Sequence, residues 1–207
     1  MTRHANAAIW AVIPVKPFDE GKSRLGLIGD ARATTNRAFL DHVLGTALAV
    51  LPAGNVVVVS RDETALAVAR RAGARGLYEP DEGDLNDALA IGAKFAGERG
   101  AAGVLSLFVD LPDLAPQDIR SMISEFTGDN LVIAPDEKGS GSNALLMVPN
   151  ALPYRHGQDS LWRHLDAARE TKTPFAIVRR PGLMRDVDTP AQYASIAERS
   201  ARVYHED

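Results

Sequence analysis

Four short stretches of this chain carry residue types suited to holding anions and metal ions. The first is KPFDEGKSRLG, residues 16–26, where Lys16, Lys22 and Arg24 crowd a loop that follows the apolar run AIWAVIPV. Cations at a strand end neutralise phosphate oxygens and the charge that builds on departing pyrophosphate. Gly21-Lys22-Ser23 has the tail of a P-loop, but G-x-x-x-x-G-K-[ST] needs glycine five positions before Gly21, and Lys16 stands there. A solvated basic loop would show the same composition. Its place after the first strand of an α/β pattern favours the phosphate reading.

The second stretch is FVDLPDL, in which Asp110 ends an apolar run before Pro112. It reads either as a turn aspartate bonded to its own backbone or as a ligand for a hard cation. Asp113 is the weaker candidate, placed at the edge of the next helix. The third is RDVDTP. Alternate side chains of an extended segment share a face, so Asp186 and Asp188 point one way and Val187 the other. Two carboxylates aimed at one spot repel unless a cation lies between them. With Asp110 they make a candidate three-carboxylate magnesium site. Thr189 and Pro190 also read as the N-cap and first residue of a helix.

The fourth group is KGSGSNAL and HGQDSLWRHL. Glycines 139 and 141 fit either an anion-binding backbone nest or a hairpin turn. Asp159 or Ser160 would cap a helix whose first-turn amides suit phosphate or carboxylate, with His164 on the same face as Ser160.

These stretches need elements to position them. Apolar runs at 8–15, 55–60, 103–110, 130–135, 143–149 and 175–180, with a weaker one at 74–79, read as strands. Helical periodicity covers roughly 30–51, 62–72, 85–99, 116–126, 159–171 and 190–200, with Asp30 as the N-cap of the first and Gly73 closing the second. The alternation predicts an α/β fold, a Rossmann-like three-layer arrangement with helices on both faces of a mostly parallel sheet. Two strands separated only by DEKGSGS make that sheet mixed. Ligands of such sheets lie beyond the carboxyl ends of the strands, where the four stretches fall.

The bulk composition narrows the function further. The chain has 207 residues, 45% of them hydrophobic, which fits a single domain spanning 1–207. A net charge of −4 gives no reason to expect nucleic acid, and the lack of cysteine excludes disulfides and thiolate chemistry. The first apolar run is too short to cross a membrane and lacks the layout of a signal peptide, so a cytoplasmic protein is expected.

Taken in order, IPVKPFDEGKSRL, DLNDAL, FVDLPDL, APDEKGSGSNALL, HGQDSLWRH and RDVDTP resemble the 2-phospho-L-lactate guanylyltransferase family. That family includes the phosphoenolpyruvate and 3-phosphoglycerate guanylyltransferases of coenzyme F-420 biosynthesis. The resemblance implies a nucleotidyltransferase fold (GT-A-like, as in molybdopterin guanylyltransferases). It implies GTP and a small phosphorylated carboxylic acid as substrates, Mg2+ as cofactor, and a downstream transferase that takes up an unstable product. By the same resemblance Lys22 and Arg24 hold the GTP phosphates, and Leu85 and Asn86 lie near the nucleotide. Asp110, Asp186 and Asp188 hold the metal, while Ser142, Gly157 and Ser160 contact the acid. A homodimer is expected by analogy alone.

Three positions depart from the family pattern. Asp84 replaces glycine, Ser142 replaces threonine and His156 replaces phenylalanine. An imidazole can bond an extra hydroxyl, which tilts the expected acid toward 3-phospho-D-glycerate. A sugar-nucleotide or molybdopterin nucleotidyltransferase, a glycosyltransferase using the D-x-D of Asp186 and Asp188, and a non-catalytic GTP-binding module are the alternatives.

Overall fold

A computed structural model describes residues 8–21, 26, 29–80 and 83–195. Seven strands form one sheet: β1 (Ile9–Pro14), β2 (Val56–Ser60), β3 (Arg75–Tyr78), β4 (Gly103–Leu107), β5 (Leu131–Pro135), β6 (Ser142–Met147) and β7 (Phe175–Ile177). The helices are α1 (Gly29–Leu48), α2 (Glu63–Arg71), α3 (Leu85–Gly97), α4 (Pro116–Ser124), α5 (Ser160–Glu170) and the short α6 (Pro181–Met184), and residues 190–195 are also helical.

The sheet order is β3-β2-β1-β4-β6-β5-β7. Strand β6 runs antiparallel to both β4 and β5, and the other pairings are parallel. The expected mixed, mostly parallel sheet is therefore what forms. Strands β1, β2, β4, β5 and β6 are buried along their whole length, which is why they read as continuous apolar runs rather than alternating ones.

Alternation along β1 shows the three layers. Ile9, Ala11 and Ile13 pack with Leu40, Leu44, Leu66 and Ile119, from α1, α2 and α4. Trp10 and Val12 face the other way, onto Ala88, Leu89 and Ala93 of α3. Helix α5 covers the same face further along, through Leu161, Leu165 and Ala168 against β5 and β6. Helix α3 approaches very closely: a Cβ on Gly92 would lie 2.4 Å from Val12 Cγ1.

Several boundaries differ from the sequence expectation, each for a local reason. Strand β4 stops at Leu107, so Asp110 stands in a turn beyond the strand rather than at its end. Strand β7 stops at Ile177, because Pro181 opens α6, a helix the periodicity did not reveal. Asp30 is not the N-cap of α1 but sits in its first turn, where its charge meets the positive end of the helix dipole. Gly73 closes α2 as expected, its N–H donating to the Arg70 carbonyl at 3.0 Å. No helix among the described residues is long and apolar enough to cross a membrane.

Candidate active site

A cleft of about 800 Å³ opens at the carboxyl ends of β1 and β4 and the amino end of antiparallel β6, which is the same edge of the sheet. Lys16, Leu85, Asp110, Ser142, His156, Gly157, Ser160, Asp186 and Asp188 all line it. Residues far apart in the chain are thus brought to one place by topology. Lys22 and Arg24 lie outside the described residues. Asn86 does not line the cleft. Its Oδ1 accepts the His156 N–H at 2.7 Å and its Nδ2 donates to the His156 carbonyl at 3.4 Å, so it shapes the 156–160 loop from behind.

The loop after β1 is held by two residues that the sequence reading passed over. Asn36, buried in the middle of α1, donates from Nδ2 to the carbonyls of Phe18 at 2.7 Å and Gly21 at 3.0 Å. Asparagine is a poor mid-helix residue, and that misfit was the available signal. A Cβ on Gly21 would lie 2.9 Å from Asn36 Nδ2, so this glycine serves close packing and not a P-loop. Asp62, the N-cap of α2, accepts from Thr64 N–H at 2.8 Å on one oxygen and from Phe18 N–H at 3.1 Å on the other. The loop carrying Lys16 is thereby tied to two helices, and Lys16 itself is exposed at the cleft.

On the carboxylate side, alternation works as the sequence implies. Val187 is buried against Phe39, while Asp186 and Asp188 both line the cleft. The Val187 N–H donates to the Asp110 carbonyl at 3.0 Å, which fastens the segment to the Asp110 turn. Upstream, Asn143 donates to the Met184 carbonyl at 3.2 Å. Arg180 Nε donates to buried Asp118 at 2.9 Å, and Arg185 lies 3.8 Å from Asp113. Downstream, Thr189 and Gln192 cap the final helical segment reciprocally: Gln192 N–H donates to Thr189 Oγ1 at 3.3 Å, and Thr189 N–H to Gln192 Oε1 at 2.9 Å.

The three carboxylates expected to hold magnesium together with substrate phosphates all line this cleft. Among the described residues no three His, Cys, Asp or Glu side chains converge closely enough to hold a metal by themselves. The three aspartates face one cleft without forming a cage. Such a donor set suits magnesium, which is commonly held by one or two carboxylates and completes its shell with water and substrate phosphate oxygens.

Ser142, Ser160 and His156 also line the cleft, and buried His164 backs them. Ser142 Oγ lies 3.0 Å from Ser160 Oγ, 3.2 Å from His164 Nδ1 and 3.4 Å from His156 Nδ1. Burial pushes His156 down to about 3, with the neighbouring His164 adding to it, and burial pushes His164 down to about 4. Both rings are therefore neutral near pH 7. His156 Nε2 is buried without a partner, and its ring packs edge-on to Phe108 at 4.8 Å. Nδ1 turns to Ser142, while Nε2 is enclosed by the protein. Gly157 has φ +129°, a conformation that favours glycine, and sets the shape of the loop.

Helix α5 is not capped as the sequence suggested. Asp159 occupies the cap position in a left-handed conformation and makes no side-chain cap bond, and Ser160 Oγ serves Ser142 instead. Leu161 N–H donates to the Ser140 carbonyl at 3.0 Å, so part of the first turn is satisfied by the protein. The 136–141 connection is a hairpin turn: Gly139 N–H bonds to the Asp136 carbonyl at 3.1 Å and Ser140 N–H to Asp136 Oδ1 at 2.8 Å. Those amides are occupied and form no anion nest. Asp84 caps α3, its Oδ1 accepting from Asn86 N–H at 2.7 Å and Asp87 N–H at 3.1 Å. Bonds from the Asp87 and Asn86 amides hold its carboxyl below the usual range.

Residues 9–197 match a family described as guanylyl transferase CofC-like. A phosphoenolpyruvate guanylyltransferase of Rubrobacter xylanophilus is 38% identical over 194 residues, covering 91% of this chain and 93% of that protein. A 2-phospho-L-lactate guanylyltransferase of Methanothermobacter thermautotrophicus is 31% identical over 188 residues, covering 90% and 82%. Among solved structures, a nucleotidyl transferase of Methanothermobacter superposes with a TM-score of 0.68 at 18% identity, covering 96% of this chain and all of that one. The fold is that of the nucleotidyltransferases that resemble nucleotide-diphospho-sugar transferases.

Proposed function

The chain belongs to the guanylyl transferase CofC-like family, and from that premise we propose that it transfers GMP from GTP to the phosphate of a small phosphorylated three-carbon acid, releasing pyrophosphate. The observation that carries this reading is the cleft itself. It gathers Lys16, the aspartates 110, 186 and 188, Ser142 and Ser160 at the ligand-binding edge of the sheet.

In the proposed reaction a phosphate oxygen of the acid attacks the α-phosphorus of GTP in line. The bond from that phosphorus to the bridging oxygen breaks, pyrophosphate leaves with the electron pair, and a diphosphodiester forms. A phosphate monoester is already anionic near neutral pH and needs no general base, and the two buried imidazoles are spent on hydrogen bonds within the protein. The chain's own work is positioning and charge neutralisation. Lys16, with Lys22 and Arg24, holds the GTP phosphates, and Leu85 packs at the nucleotide side. Ser142, Gly157 and Ser160 hold the acid. Asp110, Asp186 and Asp188 would hold Mg2+, which supplies charge neutralisation at the phosphates.

Phosphoenolpyruvate and 2-phospho-L-lactate are the acids proposed first. 3-Phospho-D-glycerate ranks behind them, since the similar relatives are named for the other two acids. The product is a reactive diphosphodiester that suits a step of coenzyme F-420 biosynthesis, in which a downstream transferase consumes it. The test offers GTP and Mg2+ with each acid in turn, follows pyrophosphate, and includes that transferase to trap the product. Release that requires a phospho-acid and GTP supports the reading. Equal release with ATP or CTP would overturn the guanylyl assignment, and formation of GDP without pyrophosphate would point to loss of the γ-phosphoryl group instead.

A further inference from the structure

Resting on that reading, we propose that His164 is a positioning residue that orients the hydroxyl chain of Ser142 and Ser160 so that it ends on a proton offered to the acid. His164 is fully buried and is not part of the cleft wall, so its effect runs through the serines.

Hydrogen-bond directions follow from one backbone group. The Arg155 N–H donates to His164 Nε2 at 2.9 Å, so that nitrogen carries the lone pair. A neutral imidazole has one donor and one acceptor, which places the ring proton on Nδ1. Ser142 Oγ, 3.2 Å from Nδ1, accepts that proton's bond and passes its own proton to Ser160 Oγ at 3.0 Å, nearer than His156 Nδ1 at 3.4 Å. Ser160 Oγ also accepts the Ser142 backbone N–H at 2.9 Å. Both lone pairs of Ser160 are then engaged, and its proton finds no protein acceptor among the described residues, although the residue lines the cleft. The chain from Arg155 through His164 and Ser142 to Ser160 runs one way, and each bond polarises the next. The opposite tautomer would reverse it and present lone pairs to an anion.

Two substitutions separate orientation from packing. His164→Gln keeps an acceptor for the Arg155 N–H and deletes the donor to Ser142, whereas His164→Asn keeps a donor at the Nδ1 position. With pyrophosphate release as the readout, His164→Gln is expected to raise KM for the acid about tenfold or more while KM for GTP stays within about twofold. His164→Asn is expected to stay within about threefold of the wild type for the acid. Nitrogen-15 NMR of the wild-type protein, which needs no variant to fold, is expected to show His164 protonated on Nδ1 and bare on Nε2. Equal KM values for the two variants, or a ring protonated on Nε2, overturn the positioning role alone. A wild-type protein that releases no pyrophosphate with any phospho-acid overturns the proposed function as well.

Discussion

Asp188 and Asp84 show how different the work of two exposed aspartates can be. Asp188 lines the cleft with Asp186, and the proposed function assigns it to the metal and phosphates. Asp188→Ala is expected to lower kcat by roughly 10²–10³ while melting with the wild type, a split read by turnover and circular dichroism together. Asp84 is a helix cap, with a reciprocal bond from its own N–H to Asp87 Oδ2 at 3.0 Å. Asp84→Ala is expected to cost roughly 1 kcal/mol in denaturant unfolding and Asp84→Gly only a few tenths. The candidate residues were legible because aspartate pairs, cations and serine-rich turns stand out by type. Asn36, which fastens the Phe18–Gly21 loop, was not, because an amide in a helix advertises no chemistry. Asn86, expected near the nucleotide from the family motif, bonds the His156 backbone 70 positions away, a pairing that no local pattern encodes.

At the scale of elements, α3 must lie against β1 closely enough to place Leu85 at the cleft. Gly92→Ala would gain up to about 1 kcal/mol of helix propensity, but its methyl would meet Val12 Cγ1 at 2.4 Å. Overpacking in a filled core costs roughly 1–3 kcal/mol, so net destabilisation is expected, measurable as a lower urea midpoint at unchanged slope. The buried strands were legible as unbroken apolar runs. Short α6 was not, because four residues carry no period, yet it sets the path from β7 to Asp186. Its anchors, Arg180 on Asp118 and Asn143 on Met184, are long-range pairs that no local pattern encodes.

The whole molecule has a titration built in at and behind its cleft. His156 and His164 are held neutral by burial, at about 3 and about 4 against an ordinary value near 6.5. Their folded values are depressed, so the stability they allow is complete above about pH 6.5. It is lost as pH falls through the window down to 3–4, where the unfolded chain binds protons that the fold excludes. Each imidazole is expected to cost roughly 2 kcal/mol by pH 5. Melting temperature should therefore drop steeply between pH 7 and pH 5, and His156→Phe, which leaves one of the two rings, should flatten that drop by about half. An equal drop in the variant would show that these rings are not the groups responsible. The layering and the sheet edge that gathers the site were foreseeable from strand–helix alternation, whereas the interior pairing of two histidines required the fold.

The claim on which the account stands is that the α-phosphate of GTP ends on the acid. GTP labelled in its α-phosphate and GTP labelled in its γ-phosphate, each incubated with Mg2+ and phosphoenolpyruvate or 2-phospho-L-lactate, separate this from every rival. The account predicts α-label in a conjugate of GMP and the acid, and γ-label in pyrophosphate alone. Label from the γ position in orthophosphate, with the α-label retained in GDP, would contradict it.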